Sequence, residues 1–408
     1  MKVGASSGRT TRVDIGNRLG VFDDNRKLPL HRWHPFVEGF SSDLVEKALD
    51  ERAATTVFDP FGGSGTTALT AAIRGIPSFF TEVNPFLAWV ADVKVNQVAE
   101  FLDRGLSPSL LTKIETVKSA NKVLLESNPL WEINKRRDFM PEDNIKALVG
   151  TLSRIDELED PVRAIARLAV LTSILESSNM VRRTDLRRRT SGDKKPIDIL
   201  EAINKRLRYF SEDLRNLQGL PMARTHYVGS DAKGGWAVPI ELELIVTSPP
   251  YLNGTNYCRN TKMELLAGGF IEDEASLSNL RDSSIMAGIN NVSKRRTPPT
   301  LHYTDVLNTI QAVDASNYDQ RIPKMVRGYF ADMNEVIGAV RQASRSEARM
   351  LLDIGDSRFG GVHIDTPHLL SVVAEQQGWR HEDTLQLRAR RSHDGSSLRQ
   401  DLLVFSAV

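Results

Sequence analysis

Apolar positions along the chain follow two periods, and the switches between them mark the elements. From Ser41, SSDLVEKALDERA carries Leu44, Val45, Ala48 and Leu49 on one helical stripe, with Ser42 as the expected N-cap. TTVFDPF is a short β-prone run, GGSG breaks it, and TTALTAAIRG returns to helical spacing until Gly75. IPSFFTEV predicts a second strand and NPFLAWVADVKVNQVAEFL a further helix. Strand, glycine turn, helix and strand in that order open a doubly wound α/β sheet.

From about 100 to 225 the pattern predicts helix almost throughout, most clearly in PVRAIARLAVLTSILESS. Strands return at THYVGSD and ELELIVTSPPY. A stretch from 252 to 320, rich in Asn, Ser, Arg and Pro, reads as irregular. PKMVRGYFADMNEVIGAVRQAS then predicts a helix, ARMLLDIGD a strand, TPHLLSVVAEQQGW a helix, and DTLQLRAR with DLLVFSAV a closing strand pair. One α/β core carrying two excursions accounts for this order.

Composition narrows the picture by exclusion. Of 408 residues, 40% are hydrophobic, and 53 Lys+Arg nearly balance 52 Asp+Glu, so any polyanion partner must be met by local clusters. The single Cys258 excludes an internal disulfide and a cysteine-clustered zinc site, and the eight histidines are dispersed, so no metal centre is expected. No run spans a bilayer, and MKVGASSGRTTRVD lacks the apolar core of a secretory signal; a cytoplasmic location is expected. No internal repeat is present.

Two segments carry candidate chemistry. In Phe58-Asp59-Pro60-Phe61-Gly62-Gly63-Ser64-Gly65-Thr66-Thr67 a strand enters, glycines turn the chain and a helix leaves. Glycines there permit positive φ and close ligand approach, and the helix start offers unpaired N–H groups. A nucleotide-like cofactor site and a plain tight turn both suit such a loop. The absence of Gly-Lys-Ser/Thr excludes a P-loop, and the spacing is not G-x-G-x-x-G. Glu82 at the end of the second strand is suited to accept from both hydroxyls of a ribose; a solvated strand-end charge is the plainer alternative.

The second segment is Ser248-Pro249-Pro250-Tyr251, at the end of the apolar strand LELIVT. Two prolines stiffen the backbone and remove two donors, leaving the Ser248 oxygen and the Pro249 carbonyl as acceptors for an amino group. Tyr251 offers a face for stacking on an extruded base, or packs as an ordinary turn tyrosine.

Together, FDPFGGSGTT and TSPPY resemble the DNA amino-methyltransferase family, which modifies adenine N6 or cytosine N4. Phe61, Gly63 and Gly65 match its F-x-G-x-G cofactor loop, and SPPY its [DNS]-P-P-[YFW] motif, whose serine form is commonest in cytosine-N4 enzymes. HPFVEGFSSDLVEKAL resembles the segment preceding that loop, with His34, Pro35, Phe36, Phe40 and Ser41 matching. Glu82-Val83-Asn84-Pro85-Phe86 resembles the acidic end of the second strand, and Gly229-Ser230-Asp231 the third-strand position near an adenine.

The resemblance implies a Rossmann-like methyltransferase sheet with a large helical insertion and a second irregular one. Residues 31–100 and 226–408 form the expected core, 1–30 a polar N-terminal segment, 101–225 the helical insertion and 252–320 the second insertion. It implies S-adenosyl-L-methionine as cofactor, held by His34, Phe36, Phe40, Ser41, Asp59, Phe61, Gly62, Gly63, Ser64, Gly65, Thr66, Thr67, Glu82, Val83, Asn84 and Asp231. Ser248, Pro249, Pro250 and Tyr251 are the implied catalytic residues. The expected reaction is methylation of cytosine N4 in duplex DNA, in a restriction-modification or related defence context with a cognate endonuclease as partner. Adenine-N6, RNA or protein-glutamine methylation, and a non-catalytic nucleic-acid-binding module, are the alternatives. The two inserts with basic clusters favour duplex DNA, and the intact motifs argue against a non-catalytic module. Methylation at cytosine C5 needs a Pro-Cys thiolate, whereas Cys258 lies in Asn-Tyr-Cys-Arg.

Residues 182–195, RRTDLRRRTSGDKK, hold seven cations against Asp185 and Asp193. A solvated charged face is the usual meaning of such a run; beside a base-modifying site, phosphate contact by Arg182, Arg183, Arg187, Arg188 and Arg189 is expected. Lys294, Arg295 and Arg296 form a second candidate, and Asn256, Tyr257 and Arg259 candidate lining for the base pocket. Asp356 faces the same cleft or caps its strand.

Overall fold

The computed structural model describes residues 19–36, 39–182, 185–252, 257–292, 296–316, 319–391, 395 and 397–408. Its strands in chain order are β1 (Val57–Asp59), β2 (Ser78–Thr81), β3 (Met180–Arg182), β4 (Leu186–Arg188), β5 (Thr225–Gly229), β6 (Leu242–Thr247), β7 (Ser344–Gly355), β8 (Ser357–Phe359), β9 (Val362–Ile364), β10 (Trp379–Arg391) and β11 (Ser397–Ala407). Seven of them form one sheet in the order β10-β11-β7-β6-β1-β2-β5. Neighbours from β7 to β5 run parallel, and β11 alone is antiparallel to both strands beside it. The Rossmann-like doubly wound sheet expected from the sequence is therefore present.

Side-chain alternation explains how the sheet is covered on both faces. Leu244, Val246, Leu351 and Leu402 pack on one face with α1 (Ser42–Arg52). Ile245, Met350, Leu352, Leu403 and Phe405 pack on the other, against α7 (Thr304–Ser316), α8 (Arg321–Gln342) and α9 (Thr366–Gln376). The chain leaves β1 toward β2 and β5 on one side, and returns to β6 and β7 on the other. That reversal, where Phe58 pairs with Ile245, opens the crevice in which open α/β sheets bind ligands.

The helices between β2 and β5, among them α3 (Pro85–Asp92), α4 (Glu142–Ile155), α5 (Val162–Ser173) and α6 (Ile199–Asn216), build a large core that α2 (Thr66–Ile73), from between β1 and β2, also joins. Fully buried Asp213 of α6 ties this bundle to the N-terminal segment, accepting from the Leu30 amide at 3.2 Å and the Trp33 indole at 2.8 Å and pairing with Arg32. Trp33 stacks on Phe210 with centroids 3.8 Å apart. The bundle thereby fixes the segment that delivers Phe36 to the crevice.

Several local expectations change. Ser41, not Ser42, caps α1, accepting from the Asp43 amide at 3.2 Å. The stretch 100–225 is not wholly helical: the arginine-rich run folds into the hairpin β3–β4. A π-helical turn, Val93–Gln97, interrupts what the periodicity reads as one helix. The stretch 252–320 holds helices at Tyr257–Asn260, Lys262–Ala267 and Glu274–Ser283 as well as α7, so it is far less irregular than its composition suggests.

Candidate functional site

Asp59 at the end of β1 is buried and joins four pieces of chain. Its carboxylate accepts from the Phe61 amide at 3.0 Å, the Thr67 hydroxyl at 2.9 Å and the Thr247 hydroxyl at 2.6 Å. The glycine loop, α2 and the end of β6 are thus pinned to one side chain. Burial, outweighing those three donors, raises the Asp59 carboxyl to about 6.

The loop then turns through two left-handed glycines, Gly63 at φ +52° and Gly65 at φ +81°. A Cβ on Gly65 would stand 2.9 Å from Cβ of Ala91, so glycine is required both for the turn and for the approach of α3. Gly65→Ala should cost about 1–3 kcal/mol through strain and overpacking, read as a lowered urea midpoint with an unchanged m-value. Glu82, just beyond β2, accepts from the Gly63 amide and the Asn84 amide, each at 2.8 Å. Its carboxyl is pushed up to about 7, first by burial and only weakly by Asp59. Asn84 caps α3 through its side-chain oxygen and donates from its amide nitrogen to Thr261 at 2.7 Å. The second strand end is thereby fastened to the helices that follow SPPY.

A cleft of about 870 Å³, counting its open mouth, runs between these groups. Phe36, Phe61, Gly63, Glu82, Val83, Asn84 and Asp231 line one part of it, and Ser248 and Pro250 another. The two motifs therefore meet in one space, although more than 180 residues separate Gly63 from Ser248 in sequence. The Ser248 hydroxyl is shielded from solvent and has no hydrogen-bond partner among the described residues. Pro249 is buried beside it.

Other expected residues act at one remove. Tyr251 is 4% exposed and donates to Asp353 at 3.1 Å, so its ring belongs to the core beside the cleft rather than to the lining. Phe40 packs with α1, Ser41 caps it, and Gly62, Ser64, Thr66 and Thr67 shape the loop from behind. His34 is buried edge-on to Phe86, its two ring nitrogens unpartnered among the described residues, and burial first, then Arg182, keeps it well below the usual histidine range. Asp356 caps its strand end, accepting from the Arg399 amide at 2.8 Å and contacting His363 at 2.7 Å, and does not line the cleft.

The candidate phosphate-binding arginines are engaged within the chain. Arg182 pairs with Glu264 and donates to the Asn260 carbonyl at 2.8 Å. Arg187 pairs with Asp193 at 2.7 Å, Arg188 with Asp138 at 3.2 Å, and Arg259 with Asp185 at 3.0 Å. Arg189 donates to the carbonyls of Ser178 at 2.8 Å and Leu175 at 3.0 Å. Arg296 pairs with Asp332 of α8. The hairpin β3–β4 thus clamps the helices after SPPY, so the charge run is in large part structural. Arg183, Asn256, Lys294 and Arg295 lie outside the described residues, and Tyr257 begins the short helix after SPPY.

Sequence reading missed the opposite wall of the cleft, made by Ser283, Ser284, Ile285, Ala287 and Asn291. No motif announces these residues; they arrive because Asp332 accepts from the Met286 amide at 2.9 Å and holds Arg296. Among the described residues no group of His, Cys, Asp and Glu is arranged to hold a metal, and no helix is long and apolar enough to cross a membrane.

No family model matches the chain. Curated proteins do. It is 23% identical over 449 aligned positions to Type II methyltransferase M.BsoBI of Geobacillus stearothermophilus, covering 94% of this chain and 85% of that one. It is 24% identical to Type II methyltransferase M.AvaI of Nostoc sp. strain PCC 7120, covering 94% and 86%. The chain is a homologue of the Type II methyltransferases. A third member, M.MjaII of Methanocaldococcus jannaschii, is 29% identical over 115 positions, which is 28% of this chain and 21% of its own. Alignment to Type II methyltransferases across nearly the whole chain is consistent with the resemblance to the DNA amino-methyltransferase family that the glycine loop and SPPY carry.

Proposed function

We propose that this chain transfers a methyl group from S-adenosyl-L-methionine to the exocyclic N4 of a flipped cytosine in duplex DNA, as the modification arm of a restriction-modification system. The observation that carries the reading is the shared cleft, with Gly63 and Glu82 on one side and Ser248 and Pro250 on the other. The serine form of the catalytic motif favours cytosine N4, and the Type II methyltransferase relatives support DNA as the substrate.

The residues present fit the cofactor. A Cβ at Gly63 would meet the Phe36 ring at 3.4 Å, so the glycine leaves a ledge beside an aromatic face. The Glu82 carboxylate, already aligned by two backbone amides, has lone pairs left for a pair of hydroxyls. Asp231 lies on the same wall, at the far edge beside β5. When bound, the cofactor supplies an activated methyl group on a sulfonium.

The chain's own contribution is positioning and polarity. An exocyclic amine is a weak nucleophile because its lone pair is delocalised into the ring. The unpartnered Ser248 hydroxyl oxygen and the Pro249 carbonyl accept its two N–H bonds, which favours a pyramidal nitrogen with its lone pair directed at the methyl carbon. Tyr251, held by Asp353, keeps the turn rigid from behind. No strong base is needed, since the proton leaves after transfer. The core of residues 31–100 and 226–408 performs this chemistry, with residues 283–291 of the insertion 252–320 inside it closing the cleft, and the insertions 101–225 and 252–320 are the proposed contacts for the duplex.

Expression in a host that lacks DNA methylation, followed by mapping of modified bases, tests the reading. N4-methylcytosine should accumulate at one short motif, and the combined Ser248→Ala, Tyr251→Ala variant should leave none. N6-methyladenine alone would replace cytosine by adenine as the target, and unmodified DNA from a folded, donor-binding protein would overturn DNA methylation altogether.

A further inference from the structure

Lys94 has an unusual place for a lysine. Its side chain is 0% exposed, and its Nζ donates to the Ser64 carbonyl of the glycine loop at 2.6 Å. No carboxylate pairs with it among the described residues. It sits in the π-helical turn Val93–Gln97, directly after α3, and π turns recur where a helix re-aims a side chain for use. Three residues earlier Ala91 packs against Gly65, so one face of this helix supports the loop from beneath, with an apolar contact at Gly65 and a polar one at Ser64. An apolar residue would fill this site without the cost of burying an amine.

The neighbours show the same cost. His31 and His34, from the N-terminal segment, are both kept well below the usual histidine range by burial, with the Lys94 charge adding to it. The Arg182 charge lowers His34 further. On α5, which packs against this turn, Arg163 and Arg167 are occupied by Asp160 and Asp156. Burial alone pushes the Lys94 amine down to about 7. In either protonation state it keeps an N–H for the Ser64 carbonyl.

We propose that Lys94 is a positioning residue for the glycine loop, fixing the Ser64 carbonyl and with it the orientation of the Gly63, Ser64 and Gly65 peptides toward the methyl donor. The donor's identity rests on the reading above; the loop's dependence on Lys94 does not.

The test is Lys94→Met, which keeps the length and apolar stem and removes the donor group. In donor-free protein, deuterium uptake at the 62–67 amides should rise while uptake in β1 and β6 stays unchanged. Affinity for S-adenosyl-L-methionine, by calorimetry, should fall roughly 10- to 100-fold, the size expected for one charge-assisted hydrogen bond. With donor saturating, kcat should stay within about threefold, and the unfolding temperature should change little, because removal of a buried amine offsets the Ser64 carbonyl left without its donor. Lys94→Gln, which keeps a shorter donor, should recover part of both the protection and the affinity, and it carries the test should the methionine variant not fold. Unchanged loop protection with unchanged affinity would show that Lys94 only fills the core. Loss of kcat with affinity intact would likewise overturn the proposal. Failure of the wild-type protein to bind the donor would overturn the cofactor reading instead, and the exchange comparison would still decide the role of Lys94.

Discussion

Asp59→Ala should lower folding stability by about 3–4 kcal/mol, because three donors lose their acceptor in a site too closed for water to replace it fully. Methyl transfer should vanish at temperatures where the variant is still folded. The reason is positional: Thr247, which Asp59 holds at 2.6 Å, directly precedes Ser248, and Phe61 and Thr67 flank the glycine loop. One carboxylate therefore sets the distance between the two halves of the site. Asp59→Asn is the informative partner. It keeps one acceptor for Phe61 and Thr247, and the Thr67 hydroxyl can accept from the new amide while still donating to the Val246 carbonyl at 3.3 Å. The Asp59 carboxyl is raised to about 6, above its unfolded value, so its stabilising contribution is present at low pH and is lost as pH rises through 6. Melting temperatures of wild type and Asp59→Asn should thus diverge in favour of asparagine from about pH 4 to about pH 6 and keep a constant gap above that. An alanine variant as stable and active as wild type would remove Asp59 from this role.

Glu82→Ala should weaken binding of S-adenosyl-L-methionine by roughly 100- to 1,000-fold, the equivalent of about 3–4 kcal/mol for two hydrogen bonds to a charged group. The variant also frees the Gly63 amide that positions the loop. Because the carboxyl titrates at about 7 in the free protein, the wild type should bind the donor more tightly at pH 8 than at pH 6, as the ionised form becomes the main one. The fold runs the other way: a raised folded value means that the Glu82 contribution to stability is lost as pH rises through 7. The alanine variant should lack its share of both trends. Calorimetric titration of each protein at the two pH values checks this, and equal affinities for wild type and variant would place the ribose elsewhere.

Much of the site is legible in sequence because its signals are local. A glycine loop needs positive φ at Gly63 and Gly65, and few residues other than glycine allow it. SPPY owes its stiffness to two adjacent prolines. The helix stripes and short apolar strands have periods that any stretch of chain displays, and they yield the order of elements nearly intact. Charge is a poorer guide. Arg182, Arg187, Arg188 and Arg189 read as a phosphate stripe, yet each meets a carboxylate or a carbonyl contributed by chain far from it or across a turn. A run of cations looks the same whether its counter-charges are phosphates or partners brought in by folding. Lys94 leaves only a faint trace, one cation, two residues after Asp92, inside the otherwise apolar stretch FLAWVADVKV.

By itself the sequence determined the class of sheet, the two motifs and the type of chemistry they suit, since each depends on residue type and short-range spacing. Tertiary structure alone decided that Glu82 and Ser248 share a cleft, that Asp59 ties the glycine loop to the end of β6, that residues 283–291 close the opposite wall, and that the described hairpin arginines are paired within the chain. These facts rest on contacts between residues far apart in the chain. Such contacts are set by strand order and helix packing, which leave no periodic mark on the sequence.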